Sequence, residues 1–128
     1  MESLVMELLE NVENADLDQI KLKNNLTIHN MPKLCNSIDN IISDENDQGV
    51  IYCVWGKHEV RREILDNGIR FSFPQCPNAL TLSITKNNDS DKIHLHCTTN
   101  TNIEDEDFLD SIKQFIKDWM VGIKTVCH

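Results

Sequence analysis

The side chains best suited to chemistry are His94 and His96, which stand two residues apart in a segment that alternates apolar and polar residues. Alternate side chains of a β-strand share a face, so both imidazoles would project together. Two imidazoles at this spacing can hold one zinc or copper ion, but a protein site needs a third or fourth ligand. His29 and His58 are further histidines, but no fixed spacing ties either to the pair. The sequence therefore predicts no metal and no cofactor, with the His94 and His96 face contacting solvent, a ligand or a partner.

A second pair of candidate residues, Tyr52 and Trp55, lies in an apolar segment and would occupy opposite faces of one strand. Each ring combines an apolar body with one polar group, which suits the orientation of a mostly apolar ligand. We predict four ligand-binding residues for a cavity between a sheet and a helix: Tyr52, Trp55, His94 and His96.

No catalytic motif is present, and no catalytic residue is predicted. The sequence has neither a GxSxG elbow nor a glycine-rich phosphate loop. It has five widely spaced cysteines without a CxxC pair, namely Cys35, Cys53, Cys76, Cys97 and Cys127. This pattern favours reduced, mainly buried thiols in a cytoplasmic protein, as does an N-terminus without a basic region ahead of an apolar run. Enzymatic activity is without support.

Size and charge restrict the remaining classes. A chain of 128 residues has the length of one domain, predicted to cover residues 1–128. Its formal charge of −9 would repel phosphate backbones, and no apolar stretch is long enough to span a membrane, so neither nucleic acid nor membrane is an expected partner. The acids from Glu104 to Asp107 could mimic DNA phosphates, but they also favour the positive end of a helix dipole, with Asn102 as cap.

The N-terminal third is predicted to contain two helices and a hairpin. Apolar residues at helical spacing indicate a helix over about residues 2–14. Residues 20–22 and 26–28 alternate apolar and polar side chains, which indicates a hairpin with a three-residue loop. Pro32 suits the first turn of a second helix. Its apolar stripe, ending before an acidic loop over residues 44–49, consists of Leu34, Cys35, Ile38, Ile41 and Ile42.

The remainder is predicted to be a meander and a long helix. Residues 50–55 are apolar on both alternating faces, which indicates a central strand covered on both sides. Residues 57–65 suit a helix or a strand, and a hairpin into residues 69–73 is preferred because Asp66-Asn67-Gly68 suits a turn. Two half-polar strands follow at residues 80–85 and 93–98. The clearest stripe covers about residues 104–124 and consists of Phe108, Leu109, Ile112, Phe115, Ile116, Trp119, Met120 and Ile123.

These elements predict an α+β fold, in which an antiparallel β-meander sheet is packed by a long C-terminal amphipathic helix, with two shorter N-terminal helices. Such a meander also occurs in helix-grip ligand-binding domains and small secretion chaperones, but no motif ties this chain to either. An excess of apolar surface favours a non-enzymatic binding protein that acts through a protein partner or as a homodimer. Abundant Asn and Ile with only two Ala favour a bacterial accessory gene, such as mobile elements carry. The alternatives are a small-ligand-binding domain with a cavity between sheet and helix and, less favoured, an acidic DNA mimic.

Overall fold

The computed structural model describes residues 6–100 and 103–127 and confirms the α+β class. Its elements in chain order are β1 (Met6–Val12), α1 (Gln19–Asn25), α2 (Met31–Leu34), β2 (Ile38–Asp44), β3 (Gln48–Cys53), β4 (Gly56–Leu65), β5 (Gly68–Ser72), β6 (Thr81–Lys86), β7 (Ile93–Thr99) and α3 (Glu106–Val126).

The strands form one seven-stranded antiparallel sheet with the order β1-β7-β6-β5-β4-β3-β2. Strands β2 to β7 pair with their neighbours in sequence, so the predicted meander is confirmed. The predicted hairpin between β4 and β5 is also present, because Leu65 pairs with Gly68 across a two-residue turn. β1 adds a strand beyond β7, which leaves β1 and β2 as the edges.

Helix α3 lies across one face of the sheet and closes the core. The α3 side chains that are buried lie one turn apart, among them Ile112, Phe115, Ile116, Trp119 and Ile123. Strand residues of the covered face are buried as well, whereas the opposite face carries polar side chains. The long C-terminal helix is therefore confirmed, but its N-cap is Asp105, whose carboxylate accepts from the backbone N–H groups of Asp107 and Phe108. Asn102, the predicted cap, lies outside the described residues.

The first predicted helix, over residues 2–14, is wrong for its described part, because residues 6–12 form β1. A short run such as this one fits a helical and a strand period equally well, and pairing with β7 decides between them. Val12 is buried, whereas Leu9, which the helical pattern placed in the core, is exposed.

The predicted hairpin over residues 20–28 is also wrong, because residues 19–25 form α1. Asp18 caps this helix by accepting a hydrogen bond from the Lys21 backbone N–H at 2.8 Å. Leu22 and Leu26, four residues apart, are buried, and Ile20 is exposed. The helical spacing of Leu22 and Leu26 therefore explains which side chains are buried, whereas the alternation of a strand does not.

The second predicted helix is correct only at its start, where Pro32 occupies the first turn of α2. From Ile38 the chain is strand β2, with register shifts between Ile38 and Asn40 and between Ile41 and Ser43. Each shift adds a residue to the strand, so apolar residues recur three apart instead of two apart. This irregularity produced the helical pattern.

Strand β3 is present, but the prediction that it is central and covered on both faces is wrong. It is the second strand from the β2 edge. Ile51 and Cys53 face the core, whereas Tyr52 and Val54 are 47% and 58% exposed.

We predict that Gly122→Ala destabilises the protein, although alanine favours a helix by about 1 kcal/mol over glycine. An added Cβ would overlap the Leu34 carbonyl oxygen and lie 2.6 Å from its Cα. Displacing the backbone of α2 should cost about 1–3 kcal/mol or more, which outweighs the gain in helix propensity. Urea unfolding measures the difference, with the exposed Val121→Ala as the matched control. Equal or greater stability of Gly122→Ala would contradict the observed contact between α2 and α3.

Candidate functional site

A pocket of about 280 Å³ lies beside the first turns of α3. We call it the Trp55 pocket. Its lining is mainly apolar and aromatic and consists of Trp55, His58, Phe73, Cys76, Pro77, Asn78, Leu80 and Phe108. Such a concave apolar surface with a few polar groups is typical of small-molecule sites.

Trp55 forms the wall between the sheet and the helix. It follows β3 in the tight turn to β4, where Gly56 adopts a φ of 95° that other residues rarely adopt. Its indole N–H donates to Ser111 Oγ at 2.8 Å, and its ring packs against Phe115 and Phe108 with centroids 4.9 and 5.9 Å apart. These contacts fix the indole and leave one side of it at the pocket.

The outer wall is the loop between β5 and β6, which contains two successive turns. The Cys76 N–H donates to the Phe73 carbonyl at 3.0 Å, and the Ala79 N–H donates to the Cys76 carbonyl at 3.0 Å. Ala79 has a φ of 51°, in the left-handed region that residues other than glycine seldom adopt. Such strain is found preferentially at functional sites.

His58 is the polar side chain on the sheet side of the pocket. It belongs to β4, pairs with Ile51 of β3, and shares the core-facing side of its strand with the fully buried Val60. Its Nδ1 is buried and has no hydrogen-bond partner among the described residues. A buried polar atom normally has a hydrogen-bond partner, so His58 Nδ1 is an exception among the described residues.

Cys76 is the one described cysteine that is partly exposed, and its thiol lines the pocket. The others are buried. Burial raises the pKa of Cys35 and of Cys97 to about 12, because desolvation disfavours the thiolate. Desolvation also raises the pKa of Cys53 and Cys127.

Of the four predicted binding residues, only Trp55 lines this pocket. His94 and His96 share one face of β7, as predicted, but that face is opposite to the core. His94 Nδ1 lies 2.6 Å from Asn11 Oδ1, and His96 Nε2 lies 3.6 Å from Glu7 Oε1, so both imidazoles contact side chains of β1. The structure does not bring them to Trp55.

Tyr52 lies on the exposed face of β3, opposite Asn40 and Lys57 on the neighbouring strands. Four strand spacings separate β3 from β7, which corresponds to roughly 19 Å. Tyr52, His94 and His96 therefore do not form one cavity with Trp55 between the sheet and α3.

Most of the pocket was missed by sequence reasoning, but one signal was present. In the predicted hairpin, His58 shares its face with Val60, which places a polar ring on the covered side of the sheet. Phe73, Cys76 and Leu80 border the loop between the predicted strands at residues 69–73 and 80–85, but sequence alone does not place a loop against a helix.

Within residues 6–100 and 103–127, no three His, Cys, Asp or Glu side chains form a cluster suited to a metal ion. None of the helices described there has the length and apolar character needed to cross a bilayer.

We predict that one thiol, Cys76, reacts rapidly with iodoacetamide in the native protein at pH 8. With a pKa of about 12, only about one in ten thousand Cys35 or Cys97 side chains is a thiolate at that pH, and burial also blocks access. Mass spectrometry should show one rapid modification, with all five only after denaturation. Cys76→Ser should abolish the rapid phase and Cys127→Ser should retain it. Rapid labelling of the native Cys76→Ser protein would contradict this arrangement.

Comparison with known proteins supports the fold alone. No family model and no curated protein matches the sequence. The structure resembles that of the protein XoxI from Bacillus cereus, with a TM-score of 0.61, 11% sequence identity, and coverage of 99% of this chain and 96% of that chain. It also resembles an uncharacterized protein from Bacillus thuringiensis, with a TM-score of 0.60, 11% identity, and coverage of 96% and 98%. The chain therefore shares its α+β architecture with these two bacterial proteins.

Proposed function

We propose that the protein binds a small, mostly apolar molecule in the Trp55 pocket. The observation that carries this proposal is a concave site with three aromatic side chains, Trp55, Phe73 and Phe108. Of the functions considered from the sequence, small-ligand binding is the one for which the described residues offer a defined site.

The volume limits the size of the ligand. An apolar cavity of about 150 Å³ accommodates benzene. A site of about 280 Å³ suits a molecule of about two fused aromatic rings.

The charge around the site disfavours an anionic ligand. No lysine or arginine is among the lining residues. The Asp105 carboxylate accepts from the backbone N–H of Phe108, so a negative charge lies beside one wall. The formal charge of −9 adds a repulsive long-range field.

We predict that 2-methylnaphthalene raises the melting temperature by about 5 °C at roughly ten times its Kd, because it binds only the folded state. Cys76→Phe should abolish this shift, because the added ring fills the pocket. Cys76→Ser should retain it as the matched control, and the melting temperatures without ligand verify that both variants fold. Equal shifts for the parent and Cys76→Phe, or no binding to the parent, would contradict the proposal.

A second proposal, association with a protein partner or a second copy, rests on the β2 edge of the sheet. β2 is the last strand of the sheet, so its outer edge has no strand partner among the described residues. Ile42, Tyr52 and Val54 expose about half of their surface near this edge. Unpaired edges flanked by apolar side chains favour strand addition.

For a homodimer, light scattering should give twice the chain mass of 14.8 kDa, and Ile42→Lys should restore the monomer by placing a charge at the edge. Leu9→Lys, on the opposite edge strand, is the matched control and should leave the mass unchanged. A monomeric parent at all accessible concentrations would eliminate self-association and leave only a different protein as partner.

A further inference from the structure

We infer that the ligand of the Trp55 pocket carries a hydroxyl group that forms a hydrogen bond with His58. This inference rests on the proposed function and specifies the chemical class of ligand: an aromatic or alicyclic alcohol or phenol.

Among the described residues that line the pocket, His58 has a buried nitrogen without a hydrogen-bond partner. The Trp55 N–H is satisfied by Ser111, whose own hydroxyl donates to the Phe108 carbonyl at 2.6 Å. His58 Nδ1, in contrast, is buried without a hydrogen bond from any described residue. A ligand that supplies this bond gives Nδ1 the partner that the described residues do not provide.

His58 is able to present this nitrogen to a ligand. Nδ1 is covered, but a half-turn of the imidazole about its Cβ–Cγ bond exchanges the positions of Nδ1 and Cδ2. None of the described residues forms a hydrogen bond that would hold Nδ1 in its present position. The ring already lines the pocket, so the turn needs no movement of strand β4.

A hydroxyl fits His58 better than a charged group. A neutral imidazole nitrogen donates or accepts according to tautomer, and a hydroxyl does both, so the pair forms with either tautomer. A carboxylate would meet the negative charge near Phe108. An ammonium would be attracted by the Asp105 carboxylate, but it would find no carboxylate among the lining residues to compensate its desolvation.

The test compares 2-naphthol with 2-methylnaphthalene, which share size and shape but differ in the hydroxyl. Calorimetry gives the ratio of their affinities for the parent and for His58→Phe. We expect this ratio to fall about ten-fold in His58→Phe, because a hydrogen bond contributes about that factor and the cycle cancels differences in ligand hydrophobicity. His96→Phe, which changes a histidine on the opposite sheet face, is the matched control and should leave the ratio unchanged.

The outcomes separate this inference from the proposed function. If 2-methylnaphthalene binds the parent but the affinity ratio of the two compounds is unchanged in His58→Phe, the pocket is upheld and the hydroxyl assignment is overturned. Tighter binding of 2-naphthoate or 2-naphthylmethylammonium than of 2-naphthol to the parent would also overturn it. Failure of every probe to bind would overturn both proposals.

A measurement on the parent protein covers the case in which His58→Phe does not fold. The ¹⁵N resonances of the His58 imidazole should shift on addition of 2-naphthol and remain nearly constant with 2-methylnaphthalene. Identical responses to the two compounds would overturn the inference.

Discussion

The structure depends on the packing of α3 against a single face of the sheet. Helix α3 has 21 residues, extends over about 31 Å, and contacts β1, β7 and α2. The contact is mainly aromatic. Trp119 stacks on Phe71 with centroids 5.5 Å apart, and Phe115 contacts Trp55, Phe73 and Trp119. The Trp119 indole N–H is buried in this cluster and has no hydrogen-bond partner among the described residues.

The core is closed differently at the two ends of the strands, because a single helix does not cover both. Near the end of β4, the Arg62 guanidinium donates to the carbonyls of Leu26 and Lys23 at 2.6 and 2.9 Å, where α1 ends. Its positive charge stabilises that helix end, although burial lowers the Arg62 pKa. Near the start of the same strand, His58 Nδ1 has no hydrogen-bond partner within the described part of the chain, and a pocket is present instead of a closed core.

The C-terminal two thirds of the fold could be predicted because local pattern and tertiary environment agree there. Residues 69–73, 80–85 and 93–98 alternate strictly, and the stripe of α3 is long enough to exclude a strand. The N-terminal third could not, because its short apolar runs fit two periods. The choice of β1 as a strand depends on pairing with β7, more than 80 residues away. The bulges of β2 changed the spacing itself, which no periodicity rule anticipates.

The predicted binding residues were selected for chemical versatility, but they lie on different faces of a sheet that is covered on one face only. His94 and His96 belong to the polar face because Ile93, Leu95 and Cys97 occupy the covered one, and this followed from the alternation that identified the strand. Residues that depart from the local pattern of burial or backbone conformation were better indicators of the pocket. His58 is a polar ring on a covered face, Ala79 has a left-handed backbone without being glycine, and Cys76 is a thiol that the core does not bury. His58 and Cys76 line one pocket, and Ala79 belongs to the loop that forms its outer wall. Because such departures cost stability, these three residues are observations that support the proposed binding site.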